Sequence, residues 1–235
     1  MPQRLLLSLL LLLIAASLGA QQRKIQHKPY IDERRWHYGF HIGLHDQSLH
    51  LRPNGFIVPD GSAQWMSEND RQNFGFSAGI LGEWRLHRNF ALRLTPGLHF
   101  GSKHITFRNQ ADGRETTQDM KSAYIAVPLE LKIAAPRFNN FRPYVVTGLT
   151  GMYDLTASKG TLVRTRPFQT YAQIGLGCDF YMPFFKLIPE LKFCFGLADV
   201  LQRHRPDLTD PSQLVYTRSI DRATPGMVIL NLYFE

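Results

Sequence analysis

The sequence predicts an all-β chain: an eight-stranded antiparallel transmembrane β-barrel behind an N-terminal signal peptide. Three observations predict it. Segments of about ten residues alternate bulky apolar groups with small or charged ones, as membrane strands do. There are eight such segments, and an even number is the rule for single-chain bacterial barrels. The connections between them alternate long and short, as the outer loops and inner turns of such barrels do.

The chain has 235 residues. It opens with Met1-Pro2-Gln3-Arg4, an apolar run over 5–18, and the small-residue exit Gly19-Ala20. One basic residue, a short apolar run and small residues at the exit describe a secretory signal peptide over 1–20. The run is short of the roughly 20 residues of a spanning helix. Residues 21–35 form a basic arm with Arg23, Lys24, Lys28, Arg34 and Arg35. As a polar terminal segment it reads as a loose periplasmic lead-in, and those five cations are the candidate partner contacts.

The first strand, WHYGFHIGLH, sets Trp36, Tyr38, Phe40, Ile42 and Leu44 against His37, Gly39, His41, Gly43 and His45. Successive side chains of a strand point to opposite faces. The second sets Phe74, Phe76, Ile80 and Trp84 against Ser77, Glu83 and Arg85. The third sets Phe90, Leu92, Leu94, Leu98 and Phe100 against Arg93, Thr95 and His99. The fourth sets Ile125, Val127, Leu129, Leu131 and Ile133 against Tyr124, Glu130 and Lys132. The fifth, 143–155, is apolar on both faces and leaves its phase open. The sixth sets Ile174, Leu176, Cys178 and Phe180 against Gln173, Asp179 and Tyr181. The seventh sets Leu187, Leu191, Phe193 and Phe195 against Glu190, Lys192 and Cys194. The last sets Val228, Leu230, Leu232 and Phe234 against Ile229, Asn231 and Tyr233. Pro96, Pro128 and Pro189 break ladder hydrogen bonding and read as bulges.

Long connections are expected near 46–72, 108–120, 156–167 and 199–223, on the external side. Short ones fall near 87–89, 135–140 and 182–185, which leaves both termini periplasmic. Aromatic residues gather near strand ends, as at bilayer interfaces. Trp36, Trp84, Phe90, Phe141, Tyr144, Phe184, Phe185 and Phe234 mark one end, and Phe74, Phe107 and Tyr153 the other.

The apolar class carries almost no charge, so it faces lipid and the charged class faces the lumen. Eight strands enclose a space the size of the OmpA and OmpX interiors, which side chains just fill. Glu83, Arg85, Arg93, Glu130, Lys132, Asp179, Glu190 and Lys192, with His37 and His41, therefore read as a structural polar network. Buried charges must be paired, so no conducting pore is expected.

No cofactor or metal is assigned. His37, His41 and His45 share a face, but positions four apart on a strand lie about 13 Å apart. A single metal with bonds near 2 Å cannot take two of them. Cys178 and Cys194 fall on opposite faces and are expected as free thiols. His45, Asp46, Ser48, His50, His104 and Asp154 are residue types that a barrel enzyme would use, yet no spacing among them marks a triad. The formal net charge of +8 is spread along the chain and names no partner. Export argues against nucleic acid, and nothing points to a small-molecule substrate. Outer-membrane lipid and lipopolysaccharide are the expected surroundings.

Six blocks carry a resemblance: HYGFHIGLHDQSLHL, LRLTPGLHFGSK, YIAVPLELKI, NNFRPYVVTGLTGMYDLTASK, YAQIGLGCDFYMPFFKLIPELKFCFGLADVL and SIDRATPGMVILNLYFE. In this order they resemble the PorT/SprT outer-membrane proteins of the type IX secretion system. The resemblance implies a non-enzymatic barrel required for protein secretion, with gliding motility dependent on it in some relatives. Other type IX components would be its partners. It implies no catalytic residue. The alternatives are a general small porin-like barrel acting as adhesin or envelope stabiliser, and a lipid-modifying or proteolytic barrel.

Overall fold

A computed structural model describes residues 25–54, 65–68, 73–110, 113–156, 163–204 and 219–235. The signal-peptide segment, Arg23, Lys24 and parts of all four long connections lie outside these residues. No helix among the described residues is long and apolar enough to cross a membrane.

Ten strands are described: β1 Trp36–Pro53, β2 Trp65–Glu68, β3 Phe74–Arg85, β4 Phe90–Leu94, β5 Gly97–Asn109, β6 Glu115–Ala134, β7 Phe141–Asp154, β8 Phe168–Tyr181, β9 Lys186–Gly196 and β10 Ile220–Phe234. All pairings are antiparallel, and β1 pairs with both β3 and β10, so the sheet closes on itself. Closure leaves the wall without an open edge.

The wall has the eight staves expected. The third is split into β4 and β5, each pairing with β3 on one side and β6 on the other. The split falls at Thr95-Pro96, where proline cannot donate to the ladder. β2 is a short addition that pairs only with the far end of β5.

The prolines are not bulges. Gly82↔Leu94 and Gly79↔Gly97 lie on one unshifted register between β3 and the split stave. Pairing passes straight through Pro128↔Thr150 and through Pro189↔Leu232. The register shift in the β1–β10 pair falls at Arg52/Pro53. Losing one donor costs these strands a bond and leaves their registration intact.

The connections also differ from expectation. β1 runs to Pro53, well into the span read as a loop over 46–72, and β2 lies inside that span. The 108–120 connection is mostly strand, since β5 and β6 stay paired out to Arg108↔Glu115. Of 199–223, the last residues belong to β10. The outward positions of these stretches are polar, so they lack the apolar outer face that marks a membrane strand.

That reversal organises the molecule. In the main band, Trp36, Tyr38, Phe40, Ile42 and Leu44 are exposed while His37, His41 and His45 are buried. Phe76, Ile80, Leu129, Leu149, Ile174 and Leu230 are likewise exposed on the outer wall. β7 takes the phase that puts Tyr144, Val146, Thr150, Met152 and Asp154 inside. Past Leu44 on β1 and before Ala123 on β6 the outward positions become polar, with His50, Lys121, Asp119 and Glu115. There the interior gains an apolar cluster of Leu49, Phe107, Val163, Val200, Leu201, Ile220 and Ala223, beside buried polar groups such as Gln47, Asn109 and Gln118. A membrane barrel thus continues into a stub built like a soluble one. Phe107 and Tyr144 are corrected accordingly: both point inward and belong to no interfacial girdle. The stub's loop ends are tied by a Thr165↔Leu201 bridge and by Asp199. Its carboxylate accepts the N–H groups of Leu201 and Ala223 at 3.1 and 3.0 Å and pairs with Arg203 at 2.8 Å. Partial burial alone would raise the Asp199 pKa; these donors hold it below the usual carboxylate value.

The aromatic pairs on the outer wall stack across strands. Trp36 and Trp84 face each other at 5.6 Å, Phe40 and Phe234 at 5.1 Å, and Phe76 and Phe100 at 5.2 Å. Cys178 and Cys194 are free thiols, Cys194 buried.

Candidate functional site

The lumen is crossed by a bonded array of charges. Arg93 on β4 is fully buried and donates from Nε and Nη2 to Glu83 on β3, at 3.1 and 3.0 Å. Its Nη1 donates to Glu190 on β9 at 2.5 Å. Lys132 on β6 reaches Asp179 on β8 at 2.9 Å and Glu83 at 3.3 Å. Lys192 on β9 donates to Glu130 on β6 and pairs with Glu190 at 3.1 Å. Going round the wall, β4 and β9 are diametrically opposed. These bonds are therefore struts across the interior more than rungs between neighbours. Parity made them: each residue occupies an inward position on its strand, and a narrow barrel brings opposite walls within reach.

Neutral donors extend the array. Tyr144 and Tyr233 donate their hydroxyls to Glu190, the latter at 3.0 Å, and Gln173 donates to Glu130 at 2.6 Å. Arg93 lies over both tyrosine rings, at 5.1 and 5.2 Å. Nearer the short-turn end, Lys186 joins Glu235 at 2.7 Å and Asp179 at 3.5 Å, and His37 faces Glu235 at 2.5 Å. Lys186, Glu235, Tyr144 and Gln173 are absent from the sequence-based network. Parity reaches three of them: Gln173 shares the inward series of Asp179, Lys186 continues that of Ile188, Glu190 and Lys192, and Glu235 that of Asn231 and Tyr233.

Arg85 is corrected. It is only half-buried and sits at the short-turn mouth, where it donates to the backbone carbonyl of Asp32. His41 packs against the Tyr233 ring at 5.0 Å, and His45 against His99 at 5.2 Å. Their rings lie over glycines of the facing strand; a Cβ on Gly79 would meet His41 Cε1 at 2.5 Å. The space left among His41, Thr95, His99 and Gln173 is about 10 Å³, room for one water. His41 Nδ1, His99 Nδ1 and Thr95 Oγ1 line it without a hydrogen-bond partner. Among the described residues no three His, Cys, Asp or Glu side chains group as metal ligands.

The residue types suited to a barrel enzyme are scattered. His45 is inside, His50 is exposed, and His104 faces Asp119 at 2.5 Å. Asp46 accepts the Asn73 N–H at 2.8 Å, and Asp154 accepts from Thr156 at the same distance.

The described part of the arm, residues 25–35, is not loose. A single 3-10 turn, Ile31–Glu33, places Ile31 in a buried position. Asp32 accepts the Tyr181 hydroxyl at 2.7 Å and lies 3.7 Å from both Arg137 and Arg142. Arg137 stacks over the Tyr181 ring at 3.5 Å and donates to the Lys28 and His27 carbonyls. Asn140 bonds Ile25 and His27. Residues 25–35 of the segment read as a lead-in are thus seated across the barrel's own short-turn mouth. Lys28 uses its carbonyl in that seat, while Arg34 and Arg35 keep exposed side chains.

A closed antiparallel wall with a lipid-facing apolar band and charges within defines an outer-membrane β-barrel. The chain belongs to the outer membrane protein beta-barrel domain family, whose sequence model matches residues 20–202. No curated protein matches it. Among solved structures it is similar to OprG of Pseudomonas aeruginosa, with 10% identity, a TM-score of 0.41, and coverage of 83% of this chain and 94% of that one. It is also similar to Ail, the attachment invasion locus protein of Yersinia pestis, with 12% identity, a TM-score of 0.37, and coverage of 86% and 99%. AlkL gives 11% identity, a TM-score of 0.40, and coverage of 92% of each chain. Likeness at this level says nothing of activity.

Proposed function

We propose that this outer-membrane barrel is a non-enzymatic component of type IX protein secretion, acting in assembly or support of the translocon. The filled lumen supports a supporting role over a conducting one. Struts such as Arg93–Glu190 occupy the path a solute would take, so the barrel offers partners its wall and its two rims. The six ordered sequence blocks that resemble the PorT/SprT proteins support the secretion assignment. On this reading both termini are periplasmic and the long-loop stub lies outside the cell. The partners are other type IX components, within outer-membrane lipid and lipopolysaccharide.

Deleting the gene tests this reading. Cargo proteins should accumulate inside the cell, and their normal delivery to the surface would refute it. A second reading, an adhesin or envelope stabiliser, draws on the polar-walled stub. It predicts intact secretion with altered surface binding or envelope fragility.

A further inference from the structure

The short-turn mouth carries charge that the lumen network does not use. A cleft of about 310 Å³ lies between the arm, the 86–89 turn and the 135–140 turn. Arg85, Arg88, Arg137 and Arg142 line it, with Asp32 and Glu33 as the acids. The guanidinium groups are held mainly by neutral acceptors. Arg85 donates to the Asp32 carbonyl, Arg142 to the carbonyls of Ala135 and Arg88, and Arg137 to those of Asn139, Lys28 and His27. A carbonyl orients a guanidinium without cancelling its charge. Asp32 is shared between Arg137 and Arg142 at 3.7 Å each. Four cations against two carboxylates leave the cleft short of negative charge.

Its position selects the anion. Phe138 and Phe141, stacked at 5.6 Å, and Phe90 are exposed on the outer wall beside the same turns. Aromatic residues of this kind sit at headgroup depth, so the cleft opens where lipid phosphates lie. Arginine forks match phosphate oxygens bidentately. We propose that this cleft is a phosphate-binding site at the short-turn rim, occupied by a phospholipid headgroup or by free phosphate.

The test uses the purified full barrel in a phosphate-free amine-oxide detergent. Calorimetry follows inorganic phosphate, and native mass spectrometry follows retained phosphatidylglycerol against diacylglycerol. Wild type should bind phosphate saturably, and Arg88→Gln and Arg142→Gln should each weaken binding at least tenfold. Arg108→Gln, at the opposite end, should leave it unchanged. Arg88 is exposed, and its side chain supports no described contact, so that variant should keep the heat-modifiable gel migration of a folded barrel. Selective retention of phosphatidylglycerol, displaced by phosphate, supports the site with lipid as its source. Phosphate binding without lipid retention supports it with free phosphate as the source. No saturable binding of either probe, or equal binding by folded Arg88→Gln and Arg142→Gln, overturns it.

Discussion

Arg93 and Glu190 stand 2.5 Å apart, nitrogen to oxygen, though their strands occupy opposite walls of the barrel. Both are buried, and each keeps a second partner of opposite charge, Glu83 for Arg93 and Lys192 for Glu190. A strut of this kind makes the lumen a core and gives its members the energetics of buried ion pairs.

Removing one member leaves its partners charged and unpaired. Arg93→Met should cost roughly 3–5 kcal/mol, the usual penalty for breaking a buried pair from one side. Arg93→Met combined with Glu190→Gln should lose less than Arg93→Met alone. Urea unfolding in lipid vesicles, followed by tryptophan fluorescence, measures both.

The outer wall should resist charge in proportion to its depth. Leu149 is exposed mid-strand on β7, and Leu149→Arg should cost roughly 2–4 kcal/mol if it sits near the bilayer midplane. His50→Arg, on the polar stub, should be near neutral. The same vesicle unfolding assay compares the two, and equal costs would contradict the placement of the lipid band.

Histidine rings of β1 lie over glycines of the paired strand β3, His41 over Gly79 and His45 over Gly75. A Cβ at Gly79 would press on His41 and on the backbone of Gly97, 2.7 Å away. Gly79→Ala should therefore destabilise the barrel by about 1–3 kcal/mol, as overpacking does. Gly82→Ala, whose Cβ would meet only the Leu94 carbonyl oxygen at 3.7 Å, should change stability little. Midpoints of urea unfolding for the two variants check the contrast.

The arm should come loose when its anchor is lost. Asp32→Ala removes the acceptor for Tyr181 and the carboxylate between Arg137 and Arg142. Trypsin should then cut after Arg34 or Arg35 at least tenfold faster than in wild type, timed by mass spectrometry on the folded barrel. Equal rates would show that the seat does not depend on Asp32.

Strand parity was legible because a barrel wall between lipid and a charged interior forces a period of two, as Phe40–His41–Ile42 and Leu129–Glu130–Leu131 display. It failed for 143–155, where Val145 meets lipid and Val146 packs inside with Leu81, Tyr144 and Tyr233. There the phase is set by tertiary contacts, Tyr144 to Glu190 and Thr150 to Gln173 at 2.7 Å. Tyr144 reads as a girdle residue in the sequence, since an aromatic near a strand end looks the same whichever way it points, yet it is buried. The stub is illegible in the sequence because its outward positions, such as His50, Asp119 and Lys121, are polar and give no lipid-facing stripe. The seating of the arm was illegible because Asp32 meets partners more than a hundred residues away, and composition shows only a polar terminus.

The account's central claim is that crossing ion pairs close the lumen. Planar-bilayer recording of the purified barrel tests it most directly. The wild-type protein should insert without steady conductance, and a variant lacking Arg93, Lys132 and Lys192 together should show openings if it still folds. A large, stable conductance from the wild-type barrel would contradict it.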